Sequence, residues 1–267
     1  MSVDVTETFE ADGQPRGPVL RDDEADFAAL RDAALACRRA GVRLRLVDTG
    51  KLAASELEWI AQAGADLYTS DLARTSLAEI VFLSLASRKG GAATSYFHHG
   101  AFEPGRPEAA LDAEAVREMA ASGIFVALSD RARPRESDKL LSVAASARRG
   151  KSPLVYYHHR PLVPWLEDLG REGAWIHVVA PGKDEAADLQ LLRRTAAAAA
   201  AAGQGLILHV ERTLDAFAVE DLLDAGAFGV FERPPADFKS LVRPLENRAA
   251  RRRPGARAGY LYREFMR

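Results

Sequence analysis

Residues 122–159 read SGIFVALSDRARPRESDKLLSVAASARRGKSPLVYYHH. A glycine-marked turn leads into a short β-rich run at 124–129, an amphipathic helical run follows, and a second β-rich run at 154–158 closes the stretch. Strand followed by helix followed by strand is the signature of parallel pairing, because two parallel neighbours need a crossover that a helix supplies. Outward from this unit the same alternation covers most of the chain. The remaining β-rich runs are 42–48, 66–70, 92–98, 175–180, 206–211 and 228–232. Glycine recurs just before most of them, at Gly41, Gly64, Gly123, Gly173, Gly203 and Gly226, where it supplies a left-handed helix cap. The alanine run at 196–202 falls where a helix is due and is read as helix, alanine being the best helix former.

Eight such units in about 210 residues fit a single (β/α)8 TIM-type barrel, which needs roughly 250 residues in its typical form. An open doubly wound sheet is the alternative, but eight evenly spaced units without a larger crossover favour closure. The periodic run Phe27, Leu30, Ala34 and Cys37 precedes the first β-rich run and reads as an extra N-terminal helix. Both ends are charged: seven acids against two arginines in residues 1–24, and seven arginines against one acid in 248–267. The expected organisation is an acidic flexible tail at 1–22, the barrel at 23–250 and a basic tail at 251–267.

With 48% hydrophobic and 28% charged residues, net charge −2 and one cysteine, the chain of 267 residues excludes a disulfide scaffold and a Cys-clustered zinc site. No run approaches the ~18 apolar residues of a membrane span. The first twenty residues carry acids where a secretory signal needs a basic start, so a cytoplasmic protein is expected.

One internal repeat is stronger than the general pattern. Ser70-Asp71-Leu72-Ala73-Arg74 is echoed by Ser129-Asp130-Arg131-Ala132-Arg133, and Tyr96-Phe97-His98-His99 by Tyr156-Tyr157-His158-His159. The offset equals two βα units, as a duplicated (βα)2 block would leave. Asp71 and Asp130 are read as helix N-caps.

In (β/α)8 proteins function sits at the C-terminal ends of the strands, and all six histidines fall in or just after β-rich runs. Alternation along the strands assigns Leu206 and Leu208 to the helices and His209 and Glu211 to the lumen. The same rule, with Phe97 and Val155 turned outward, puts His98 and His158 inside above Tyr96 and Tyr156. His177 joins them, and Arg45 lies beneath. The catalytic candidates are therefore His98, His158, His177, His209 and Glu211, a set suited to acid–base chemistry near neutrality. His99 and His159 are read as packing or capping residues. Arg45, Arg74, Arg133, Tyr96 and Tyr156 are the substrate-binding candidates, the arginines favouring a small anionic molecule. Three histidines with Glu211 would also accommodate a divalent metal for hydrolysis, although no His-x-His stands on the first β-rich run and no His-Glu-x-x-His anywhere.

The expected function is thus an enzyme of hydrolase, isomerase or lyase type acting on a small anion. The alternative is a non-catalytic barrel that binds a protein partner through its charged ends. Nucleic acid is not an expected partner, because the slightly negative net charge opposes it. The longest loop, 100–111, with Pro104, Gly105 and Pro107, is the lid candidate.

Overall fold

The computed structural model describes residues 5–6, 17–100, 111–131, 133–179, 186–210, 216–231 and 261–262. Its elements run β1 (Val5–Thr6), β2 (Val19–Arg21), α1 (Phe27–Arg39), β3 (Arg45–Val47), α2 (Ala54–Gln62), β4 (Asp66–Ser70), α3 (Leu77–Lys89) and β5 (Thr94–His98). Then come α4 (Ala113–Ala121), β6 (Phe125–Ser129), α5 (Ser137–Arg149), β7 (Val155–His158), α6 (Trp165–Arg171), β8 (Trp175–Val179), α7 (Ala186–Ala201), β9 (Leu206–Val210), α8 (Ala216–Asp224), β10 (Phe228–Phe231) and β11 (Leu261–Tyr262). Strands β2 to β10 form one parallel sheet in chain order. Eight successive strand–helix units, β2–α1 to β9–α8, make the (β/α)8 fold, and β10 follows them as a ninth strand. Among the described residues no ladder joins the edge strands β2 and β10.

The first unit corrects the sequence reading. Strand β2 lies inside the stretch expected to be a flexible tail, so α1 is the helix of the first unit and not an extra element. Three residues between Pro18 and a run of acids are too short to show alternation. The strand is held by long-range bonds instead: Arg45 N–H donates to Pro18 O (2.9 Å) and Asp22 N–H to Val47 O (3.1 Å). At the far ends of the chain β1 and β11 pair antiparallel, joining the acidic N-terminal and basic C-terminal segments. The lid candidate lies almost wholly outside the described residues.

Two apolar layers follow from the pleat. The concave face carries one cluster, Val47, Phe97, Ala127, Val155, Tyr157, Trp175 and Ile207, on which Val19, Tyr68 and Phe228 also pack. These residues come from all nine strands of the sheet, so both edges feed the same interior. The other face, with Tyr96, Val126, Leu128, Tyr156, Ile176, Val178, Leu206 and Leu208, packs against the helices. Strands buried on both sides are what a parallel sheet requires.

The helices pack in twos, α2 on α3, α4 on α5 and α6 on α7, with looser contact between pairs. This is the (βα)2 repeat expressed in packing. Its contact points are glycines: a Cβ on Gly90 would stand 2.1 Å from Ala61 O, and one on Gly150 2.1 Å from Ala120 O. Both positions end a helix and let it touch the backbone of its partner. Gly150→Ala should therefore cost ~3 kcal/mol in urea unfolding, at the upper end of overpacking, because backbone must move. Gly41, with φ +74° and open space around it, should cost only ~1 kcal/mol on the same change. Equal losses at the two positions would contradict the packing account.

Candidate active site

The site grows from the C-terminal ends of three neighbouring strands, β7, β8 and β9. On β8 and β9 the inward residues below the mouth are Trp175 and Ile207, so alternation turns His177 and His209 inward as well. The His209 assignment follows the sequence reading. His177 Nδ1 and His209 Nε2 are 3.0 Å apart, and their rings stack at 5.3 Å. On its other side His177 stacks on Tyr157 at 4.4 Å. The two imidazoles are 3% and 7% exposed. Burial is the main cause that pushes His209 down to about 4 and His177 well below the usual range; His159 adds to both, and His209 adds to the shift of His177. Both are neutral at pH 7, one ring donating its N–H to the bare nitrogen of the other.

On β7 the parity is the reverse of the expected one. Val155 and Tyr157 belong to the inner cluster, while Tyr156 packs on the helices together with His158 above it. Phe97 is likewise inward, which turns Tyr96 and His98 to the helix side. His98 and His158 are thus not in the lumen with His177 and His209. The next residue after β7, His159, takes the inward course instead. Its ring is near enough to both inner histidines to depress their protonation. Burial lowers its own pKa first of all; Asp130 opposes, and Arg131 and His158 reinforce. Its Nε2 is sealed from solvent and has no hydrogen-bond partner.

What holds these strand ends is a carboxylate clamp that occurs three times. Thr49 N–H donates to Asp22 (2.9 Å), His99 N–H to Asp71 (2.9 Å) and His159 N–H to Asp130 (2.7 Å). Each aspartate directly follows one strand and receives an N–H from one or two residues beyond the next, so the pairs tied are β2 with β3, β4 with β5 and β6 with β7. Asp71 and Asp130 are therefore not N-caps. The N-cap of α3 is Ser76, and α5 begins after Glu136. Asp71 also accepts from Gly100 N–H (2.7 Å) and lies 2.7 Å from His99 Nδ1 and 3.5 Å from His98 Nδ1. Asp130 accepts from the Tyr156 hydroxyl (3.0 Å) and lies 2.7 Å from His158 Nδ1. Burial would raise both carboxyls, but these neighbours together hold them below the ordinary carboxylate range. His158 Nε2 faces Pro161 O at 3.1 Å, so both nitrogens of this ring lie close to oxygens.

The other candidates are dispersed. Tyr96 and Tyr156 are fully buried in the helix-facing core, and burial drives both phenols far above their usual range. Arg45 donates to Gly17 O (2.8 Å) at the opposite end of the strands from the mouth. Arg74 is 6% exposed and spent on Asp48 (2.6 Å), Glu79 (2.7 Å) and Leu52 O (2.7 Å). Arg133 is exposed beyond β6, and Glu211 lies outside the described residues. Sequence reasoning missed Arg135, which follows Arg133 and braces two strands by donating to the carbonyls of Ser129 (2.8 Å), Gly100, His98 and His99. It also missed Arg160, whose Nε donates to Asp130 O (3.2 Å). Beside His159 a cavity of about 120 Å³ opens at the ends of β7 and β8. Among the described residues no group of three or more His, Cys, Asp or Glu is arranged to hold a metal ion, and no helix is long and apolar enough to cross a membrane.

No family model matches the chain, and no curated protein matches it. Solved structures that resemble it are (β/α)8 enzymes. A mandelate racemase/muconate lactonizing protein from Herpetosiphon aurantiacus is 17% identical, with TM-score 0.36 over 85% of this chain and 56% of that one. Deoxyribose phosphate aldolase from Aeropyrum pernix is 14% identical, with TM-score 0.34 over 88% and 90%. A tryptophan synthase α-subunit from Pyrococcus furiosus is 17% identical, with TM-score 0.35 over 82% and 86%. At such identities and scores the likeness says nothing of chemistry.

Proposed function

We propose that the chain is an enzyme that works on a small anionic molecule at the mouth of β7, β8 and β9 by acid–base chemistry. One observation carries the reading: His159, with an unpartnered Nε2, stands beside a neutral, desolvated histidine pair at the strand ends where (β/α)8 enzymes work. In this reading His159 exchanges a proton with the bound molecule, and its Nε2 is unbonded until that happens. His209 and His177 offer a polar surface that carries no charge of its own, so it neither repels a cationic intermediate nor screens an anionic one. Arg131, Arg133 and Arg160 supply the positive field that draws an anion.

Metal-assisted hydrolysis has less support. Of the four residues on which it rested, His98 and His158 face the helices and are engaged with Asp71 and Asp130. A partner-binding barrel that uses the charged ends is the competing reading, and turnover decides between them. Small carboxylates and phosphate esters, incubated in D2O and followed by proton NMR, should include at least one that the protein converts or deuterates. His159→Gln should slow that reaction at least ~100-fold, within the range of general acid–base catalysis, and leave the far-UV spectrum unchanged. No reaction with any compound, or equal rates in the variant, would overturn the proposal.

A further inference from the structure

The cavity beside His159 carries both signs of charge without an ion pair between them. Its lining includes Arg160, from the loop after β7, and Asp188, in the first turn of α7, with Leu162, Val178 and Val179 as apolar wall. Among the described residues Asp188 has no hydrogen-bond or ion-pair partner, and Arg160 has one hydrogen bond, from Nε to Asp130 O. That bond fixes the guanidinium by one edge and leaves its two terminal nitrogens to take a carboxylate in the bidentate manner. A cation alone would meet Asp188 but also Arg160, and an anion alone the reverse. A molecule with both charges satisfies both.

We infer that this cavity takes a small zwitterion of the amino-acid class, its carboxylate on Arg160, its ammonium on Asp188 and its short carbon chain against Leu162, Val178 and Val179. The inference rests on the proposed function and narrows its small anion to a carboxylate that also carries an ammonium, since His159 lines the cavity too. Size agrees: about 120 Å³ is somewhat less than the ~150 Å³ that holds a benzene ring. Glycine, alanine, β-alanine and γ-aminobutyrate are within that limit.

Calorimetric titration of the full chain with those four amino acids, and with acetate, propionate, methylamine and ethylamine, tests it. At least one amino acid should bind about tenfold or more tighter than the carboxylate and the amine of matching chain. Arg160→Gln and Asp188→Asn should each weaken it at least about tenfold, the loss expected for one charge-assisted bond. In Asp188→Asn the amino acid should bind no better than its carboxylate. Carboxylates that bind as well as amino acids, with Asp188→Asn indifferent, would overturn the zwitterion while leaving an anion-using enzyme intact. Absence of binding by all eight compounds would overturn it as well, and the turnover screen would stand apart from that result.

Discussion

Lowering the pH from 7.5 to 5 should bring the protein to the edge of unfolding. His98 and His209 are each held near 4, and His177 well below the usual range, in all three cases chiefly by burial. For His98 the nearby Asp71 opposes the shift, and Arg135 and His99 add to it. A histidine whose folded pKa lies below its unfolded value of about 6.5 binds fewer protons in the fold than out of it. Its stability is complete above ~6.5 and is lost as the pH falls toward the folded value. For His98 and His209 the loss reaches up to ~3 kcal/mol each near pH 4, a large share of the 5–15 kcal/mol that holds a typical domain. Asp71 and Asp130 act in a lower window with the same sign, since their depressed pKa gives stability that is lost only as they protonate, below ~4. Urea midpoints measured at pH 7.5, 6 and 5 should fall steeply, and His209→Asn should flatten the slope. A midpoint that is level over this range would mean that these rings are not buried neutral.

Removing one clamp should be as damaging as acid. Asp130→Ala would strand the Tyr156 hydroxyl, the His159 N–H and the His158 ring, all of which now face one carboxylate. Leaving a buried hydroxyl and a buried N–H without their acceptor costs ~1–3 kcal/mol each, so a loss of ~3 kcal/mol is expected. Asp130→Asn should cost less, since an amide oxygen still accepts from the His159 N–H. Urea unfolding at pH 7.5 measures both. A loss below ~1 kcal/mol for Asp130→Ala would show that the clamp carries little of the strand-end geometry.

The repeating strand–helix pattern made the fold legible, because each unit is long enough to show its period and ends at a glycine. The alanine run was helix, as α7 reaches Ala201. Strand β2 was not legible: three residues hold no period, and only its register against Arg45–Val47 identifies it. The inward direction of β9 could be read because Leu206 and Leu208 alternate with a polar residue at 209. On β5 and β7 it could not. Tyr-Phe-His-His and Tyr-Tyr-His-His offer apolar or amphipathic side chains to both faces, so a one-residue slip leaves the pattern unchanged and exchanges His158 for His159. The clamp did leave a trace, an aspartate at a strand end followed 27, 28 and 29 residues later by the residue it ties. Read in sequence as two N-caps, Asp71 and Asp130, and one acid of a charged tail, Asp22, it gives no hint of partners so far along the chain.

The central claim is that His177 and His209 form a desolvated neutral pair on the inner face of the sheet, next to His159. Long-range proton–nitrogen NMR of the six imidazoles from pH 8 to pH 5 reads this directly, with His177→Asn and His209→Asn to assign the signals. The pair should remain neutral throughout, one ring showing an N–H bonded to nitrogen. A midpoint near 6.5 for either residue, as for a solvated side chain, would contradict the account.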